Sequence, residues 1–274
     1  RNLSNSPAAV RTTTATYCDL LNLTVDENLR SFVVQELIEM IEFNRTIMAP
    51  FALEMAQGTS VTGHLKVKLL TELVNLVTEE NSAALVPLIT YKDINSLESL
   101  KTLLLRFPQT VAAPIAEQMG SFVSDSDLKI AEPSTILLKD CGIAGAKKEA
   151  YRIFLSAIQL SPFISVLSRA IWSIAEFCDD INDAADLLSD FANFTEDTKQ
   201  QVSKSANTIV SEDGTYVTKT QPVNEQPNLK SMLQKGDSYL ALSLVSALIK
   251  LKLRGSTVNN IDQVVNSILS FPGI

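Results

Sequence analysis

Residues 28–41 read NLRSFVVQELIEMI and residues 64–77 read HLKVKLLTELVNLV. Laid over one another at an offset of 64 − 28 = 36 residues, the two stretches match closely. Leu29 meets Leu65, Arg30 meets Lys66, Val33 and Val34 meet Leu69 and Leu70, and Glu36-Leu37 meets Glu72-Leu73. Ile38 and Ile41 meet Val74 and Val77. Within each stretch apolar residues recur at i, i+4, i+8 and i+12, which is one stripe along a helix. A helix pair repeating at about this period is the mark of an α-solenoid of the HEAT or armadillo kind. One pair cannot bury its own stripe, so neighbouring pairs must stack. The expected fold class is all-α, an α-solenoid of helix pairs.

Helical signals run outward from this repeat in both directions. SPAAVRTTTATYCDLL opens with Ser6-Pro7, proline standing near the first helical position where its missing N–H costs nothing. Further helical stretches cover 96–106, 109–123, 147–159, 165–178 and 182–194. Residues 124–145, with Pro133 and two glycines, are the least regular part. Near the end, GDSYLALSLVSALIKLKLRG has Asp237 to cap its start, Lys250, Lys252 and Arg254 in its last turns, and Gly255 to close it. One segment breaks the rhythm. Residues 199–235 carry Pro222, Pro227 and SEDGTYVTKT, in which Thr215, Tyr216, Val217, Thr218 and Thr220 favour a strand after a turn-like Asp213-Gly214. The organisation read from this is a helical-repeat trunk segment over 1–198, a polar excursion with one short strand over 199–235, and final trunk helices over 236–274. An isolated short strand is marginal, so we expect the excursion to cover a helix face.

Composition narrows the function classes. The 274 residues are 46% hydrophobic and 20% charged, which describes a folded chain. Nine glycines and ten prolines are too few for the turns of a β-sandwich this long. The net charge is −8 and Lys147-Lys148 is the one adjacent basic pair, so no basic stripe exists to meet a nucleic acid. Cys18, Cys141 and Cys178 lie far apart, fit neither a zinc site nor a disulfide framework, and suit a reducing cytosol. The uncharged run 153–168 is broken by Pro162 and falls short of a membrane span. No signal peptide opens the chain, and Arg1 precedes what reads as an interior helix, so we expect a piece of a longer protein. The four sequons at Asn2, Asn22, Asn44 and Asn193 read as chance matches in a chain rich in Ser and Thr.

Chemistry-bearing constellations are sparse. His64 is the one histidine and sits at a helix start, where Asn28 stands in the preceding repeat, so a structural role is expected. Asp179, Asp183, Asp186 and Asp190 share one helical face, read as a solvated or partner-facing stripe rather than a metal site. Cys141 to Lys147 lacks both the glycine spacing and the Lys-Ser/Thr pair of a phosphate loop. The residues alone point to a scaffold with no catalytic, cofactor-binding or metal-binding residue, against the rival of a helical enzyme whose site would sit on the acidic face. Trp172 taken alone is a core residue.

A resemblance adds detail. SRAIWSIAEFCDDINDAADLLSDF, residues 168–191, resembles the block near the trunk end of the large β-type subunits of vesicle coats. There an aromatic-rich helix precedes an acidic segment and a Leu-Leu pair. The corresponding residues are Ala170-Ile171-Trp172, Glu176-Phe177-Cys178 and Leu187-Leu188. Coatomer β subunits and the β-adaptins of clathrin adaptors share this block. The segments Asp213-Gly214-Thr215-Tyr216-Val217-Thr218 and Gly236-Asp237-Ser238-Tyr239-Leu240-Ala241 are similar to coatomer β, as are LSNSPAAVRTTTATYCDLL and Leu105-Arg106-Phe107-Pro108. Residues 127–145 match poorly, and Asp180-Ile181-Asn182-Asp183 is adaptin-like. The alternatives are a β-adaptin or a generic HEAT-repeat scaffold.

The resemblance implies the C-terminal part of a coatomer β trunk: a non-enzymatic COPI coat scaffold in Golgi-to-ER retrograde and intra-Golgi transport. It implies a cytoplasmic protein, peripheral on Golgi membranes and coated vesicles, with no cofactor. Implied partners are the δ-coatomer longin domain, cradled by the trunk, and other coatomer subunits. An Arf-family GTPase is implied for the whole subunit, through a site outside these residues. Partner contacts are expected at Trp172, Glu176, Phe177, Tyr216, Asp237 and Tyr239.

Overall fold

A computed structural model describes residues 6–59, 61–192, 207–210, 216–219, 232–233 and 237–269. The chain divides into two compact units, 1–155 and 156–274. In the first, α1 (Pro7–Leu23), α2 (Glu27–Phe43), α3 (Arg45–Met48), α4 (Ala52–Gly58) and α5 (Gly63–Leu76) are followed by α6 (Glu79–Leu85), α7 (Ile94–Arg106), α8 (Pro108–Val123) and α9 (Leu128–Ile143). They form two layers. Helices α1, α4, α6 and α8 pack side by side in one, and α2, α5, α7 and α9 in the other. Across the layers, α1 packs on α2, α4 on α5, and α8 on α9. This is the stacking of an α-solenoid, and the fold class is all-α.

The 36-residue repeat places α2 and α5 as neighbours in the second layer. Their matched stripes are buried: Val33, Leu37 and Ile41 on α2, and Leu69 and Leu73 on α5 with Val77 just past its end. The first layer was harder to read. Helices α3, α4 and α6 are short, interrupted by the turns Ala49–Phe51 and Val86–Leu88, and no helix was expected there. They are held by tertiary burial of Met48, Ala52, Met55, Ala56 and Leu85 rather than by a long stripe of their own.

The stretch 124–145, expected to be irregular, is corrected by α9, a helix of 16 residues. Asp127 caps it by accepting from Lys129 N at 2.9 Å. Pro133 forfeits one backbone bond, to the Lys129 carbonyl. The helix bears that loss because Ile130, Ala131, Leu137, Leu138 and Cys141 are buried along it. Gly145 is its stop signal, whereas Gly142 is buried inside the helix. Gly145 takes φ 124°, and Ala146 N donates back to Cys141 O at 3.0 Å. The segment that glances at a phosphate loop is therefore a helix terminus.

Helix α10 (Lys147–Leu160) runs through the division at residue 155. The second unit holds α11 (Ile164–Phe177), α12 (Ile181–Ala192), α13 (Ser238–Leu253) and α14 (Ile261–Leu269). Here α11 lies against α13 and α12 against α14, while α13 also touches α12 and α14. Two short strands, β1 (Asn207–Val210) and β2 (Tyr216–Lys219), pair antiparallel with Asn207 opposite Lys219 and Val210 opposite Tyr216. A single strand was expected. The pairing gives Tyr216–Lys219 a partner in its own chain. Met232 and Leu233, also within the excursion, are buried, and the rest of it lies outside the described residues.

Helix ends show a second regularity. The last carbonyls of a helix have no partner within it, and here a basic side chain from another helix reaches several of them. Arg30 Nε donates to Thr24 O at 2.8 Å at the end of α1. Lys66 Nζ donates to Ala56 O at 2.7 Å and Thr59 O at 3.3 Å at the end of α4, and burial lowers its pKa. Arg106, the last residue of α7, donates to Val74 O and to Val77 O at the end of α5. Arg254, just past α13, does the same for Ala175 O at the end of α11. Cations are favoured at this pole of the helix dipole.

Arg106→Ala removes both bonds of one such lock. We expect it to lower the unfolding free energy in urea by about 1–2 kcal/mol. Arg106→Lys should recover part of that, since an ammonium lacks the guanidinium fork that spans two carbonyls. An unchanged urea midpoint for Arg106→Ala would show that the lock does not hold α7 to α5.

Candidate partner-binding surface

Helix α11 buries Val166, Leu167, Ala170, Ile171, Ile174 and Phe177. That leaves Ser165, Arg169, Trp172 and Glu176 on its less buried side, at i, i+4, i+7 and i+11. Helix α13 lies alongside, and its Lys250 crosses the gap. The Lys250 ammonium stands 4.2 Å from the centroid of the Trp172 ring and forms an ion pair with the Glu176 carboxylate. An ammonium over an indole face is attracted by the ring quadrupole. One cation thus ties an aromatic and a carboxylate one turn apart on α11. Just below, Arg254 donates to Ala175 O and, at 3.2 Å, to Cys178 Sγ. Asn182 Oδ1 accepts from Thr257 N at 2.9 Å and Ser256 Oγ at 3.2 Å. Polar side chains therefore lace the C-terminal end of α13 and the residues after it to the end of α11 and to the first turn of α12.

The expected contact residues fall in several places. Trp172 and Glu176 meet at the Lys250 clamp, and Trp172 keeps 38% of its surface exposed. Phe177, 3% exposed, belongs to the core. Asp237 caps α13, its Oδ1 accepting from Leu240 N at 2.8 Å. Tyr239 is 63% exposed on the first turn of α13. It stands about 16 Å along the helix from Lys250 at the standard rise. Tyr216 lies on β2, and its side chain is outside the described residues. Lys250 was read only as a charge suiting a helix end, and sequence spacing within one helix gave no signal of its partners on another.

The remaining candidates stay apart. His64 is exposed at the start of α5. Asp179, Asp183, Asp186 and Asp190 are exposed, and no group of three His, Cys, Asp or Glu among the described residues is placed to hold a metal ion. Asn2 and Asn193 lie outside the described residues, while Asn22 Nδ2 donates to Gly58 O at 2.6 Å. No helix among the described residues is long and apolar enough to cross a membrane. Cys18 sits in a shallow cleft between α1 and α4, beside Arg11, Phe51 and Glu54. Burial, then Asp19 and Glu54, push its thiol up to about 11. Burial, then Asp140, push Cys141 up to about 12.

Several curated proteins are similar to this chain in sequence. A coatomer subunit beta-2 of Arabidopsis thaliana is 21% identical, covering 98% of this chain and 34% of that protein. A coatomer subunit beta of Dictyostelium discoideum is 25% identical over 94% of the chain and 29% of its own length. One of Sus scrofa is 21% identical over 92% of the chain and 31% of its own length. The chain spans about a third of the length of these relatives. No protein-family profile and no solved structure matches it.

The chain has a single tryptophan, so its fluorescence reports on the clamp alone. Lys250→Met should change the Trp172 emission at native pH while lowering stability by about 1 kcal/mol or less. An unchanged spectrum would separate Lys250 from the ring in solution. The thiols set a pH dependence. A thiol pKa raised by folding means that the native state holds protons the unfolded chain loses, so stability is full below the ordinary thiol range and falls as pH rises through it. Urea midpoints should drop between pH 8 and 10, as measured by far-ultraviolet dichroism, and Cys141→Ala should flatten that drop.

Proposed function

We propose that this chain is a non-enzymatic scaffold segment of a COPI-type vesicle coat, working in Golgi-to-ER retrograde and intra-Golgi transport. One observation carries the reading. Similarity to coatomer beta subunits of a plant, an amoeba and a mammal runs over at least 92% of the chain, through both units. Layered helices suit the role, because stacked pairs offer long continuous faces for protein contacts. Its setting is the cytoplasmic side of Golgi membranes, where it is peripheral and carried by the coat.

The partner class is other coatomer subunits, first among them the longin domain of the δ subunit. An Arf-family GTPase belongs to the whole subunit, through residues outside this chain. On this reading Trp172 and Tyr239 are the anchors on the α11–α13 face, because partly exposed aromatics on a rigid helix lose little entropy on binding. Glu176 and Asp237 act behind them, one by holding Lys250 against the indole and the other by fixing the first turn beneath Tyr239.

Calorimetric titration with the δ-type longin domain of the same source tests this. We expect one-to-one binding at about micromolar affinity or tighter, and a loss of about tenfold for Trp172→Ala. Absence of binding by a folded sample would overturn the δ assignment. Binding indifferent to Trp172→Ala and Tyr239→Ala alike would move the contact away from α11 and α13.

A further inference from the structure

Four cations stand on or just past α11 and α13: Arg169, Lys250, Lys252 and Arg254. Three of them are engaged. Lys250 is held by Glu176 and the Trp172 ring, Lys252 by Asp262, and Arg254 by the carbonyls that end α11. Arg169 is left over. It forms no ion pair or hydrogen bond with any described residue, and one terminal nitrogen of its guanidinium, Nη1, is buried without a partner. Neither helix has a spare acid to answer it. Helix α13 carries none, and the single acid of α11, Glu176, lies two turns away in the hold of Lys250. A buried N–H of a charged group is costly to leave without an acceptor. An acceptor brought from outside the chain therefore gains more here than at an ordinary surface arginine.

We propose that Arg169 sets the specificity of this face by taking a carboxylate from an acidic segment of a partner protein. The site has two parts one helical turn apart. Arg169 and Trp172 stand at i and i+3, so their side chains are neighbours, about 5–6 Å apart at Cβ. The arginine is partly exposed, and the indole keeps 38% of its surface open. The partner's carboxylate meets the guanidinium, and a bulky apolar side chain next to it lies on the open part of the indole. By turning outward to that carboxylate, the guanidinium also gives Nη1 an acceptor.

Charge decides the class of partner. A guanidinium matches a carboxylate in two parallel N–H···O bonds. A phosphorylated segment is met by clusters of arginine, and here the neighbouring Lys250 is already committed to Glu176. The chain as a whole carries a net charge of −8. An acidic segment is repelled by most such surface and attracted where a cation stands uncompensated. The expected segment is short, with one Asp or Glu beside a Leu or Phe. The proposal rests on the reading of α11 and α13 as a partner face and adds the chemistry that the partner brings to it.

Titration of the 274-residue chain with synthetic peptides tests this, with Trp172 emission as the readout because the chain has no other tryptophan. The probe is an end-blocked decapeptide with a central Glu-Leu pair. Its controls carry Gln-Leu or phosphoserine-Leu at the same place. We expect a saturable change with the Glu-Leu peptide, and affinity at least tenfold weaker with Gln-Leu. Arg169→Gln should erase that difference while leaving the helical dichroism unchanged, and Arg169→Lys should restore part of it. No saturable change with Glu-Leu, equal binding of Glu-Leu and Gln-Leu, or a preference indifferent to Arg169→Gln overturns the proposal. Tighter binding of the phosphoserine peptide would overturn the assignment to a carboxylate. The peptides carry no coat sequence, so a failed longin titration would overturn the δ partner and leave the peptide result standing.

Discussion

A helix with an apolar stripe cannot bury it alone, and most of this chain follows from that constraint. Leu37 and Leu73, one repeat apart, are both fully buried because α2 and α5 lie side by side in one layer with α1 and α4 behind them. Each helix thus serves two neighbours. Burying a leucine side chain contributes about 2 kcal/mol, and these contributions are shared between successive pairs instead of being held in one central core. Stability of this kind spreads along the array in nearest-neighbour increments.

Stacking fixes which faces meet but leaves helix ends exposed, and there the basic side chains matter. Arg106 on the carbonyls closing α5, and Arg254 on those closing α11, act alike: each stands at the end of a helix packed alongside and reaches across. A guanidinium fits this task because its fork can serve two carbonyls at once. Sliding one helix along its neighbour would break both bonds, so the lock sets axial register where apolar contacts are more forgiving. At the second lock Lys250 adds the Trp172 ring and Glu176, and the end of α11 is held from two sides.

Long stripes were legible in the sequence and short ones were not. The 36-residue match gave α2 and α5 because fourteen residues suffice to show a 3.6-residue period. Helices α3, α4 and α6 have 4, 7 and 7 residues, too few for a period to emerge, and exist because their neighbours cover them. Residues 124–145 looked irregular because Pro133 and Gly142 count against a helix locally, while the burial that outweighs them is tertiary. The candidate surface divided likewise. Asp237 was readable as a cap, since capping is a matter of three residues in sequence. The meeting of Lys250 with Trp172 and Glu176 spans 74 residues or more, and only the packing of α11 on α13 brings it about.

Phe177 and Trp172 show how a resemblance and a geometry divide the work. Both were expected as contact residues because they stand in one recognisable block, five positions apart on α11. Five residues on a helix turn through about 500°, which places the two side chains on different faces. Phe177 consequently points into the core and Trp172 toward Lys250 and solvent. A partner can therefore reach the indole and not the phenyl ring, and the block as a whole serves two ends. Its buried half holds α11 in place, and its exposed half, with the cation of α13 fixed upon it, is a rigid aromatic surface whose position depends on that buried half.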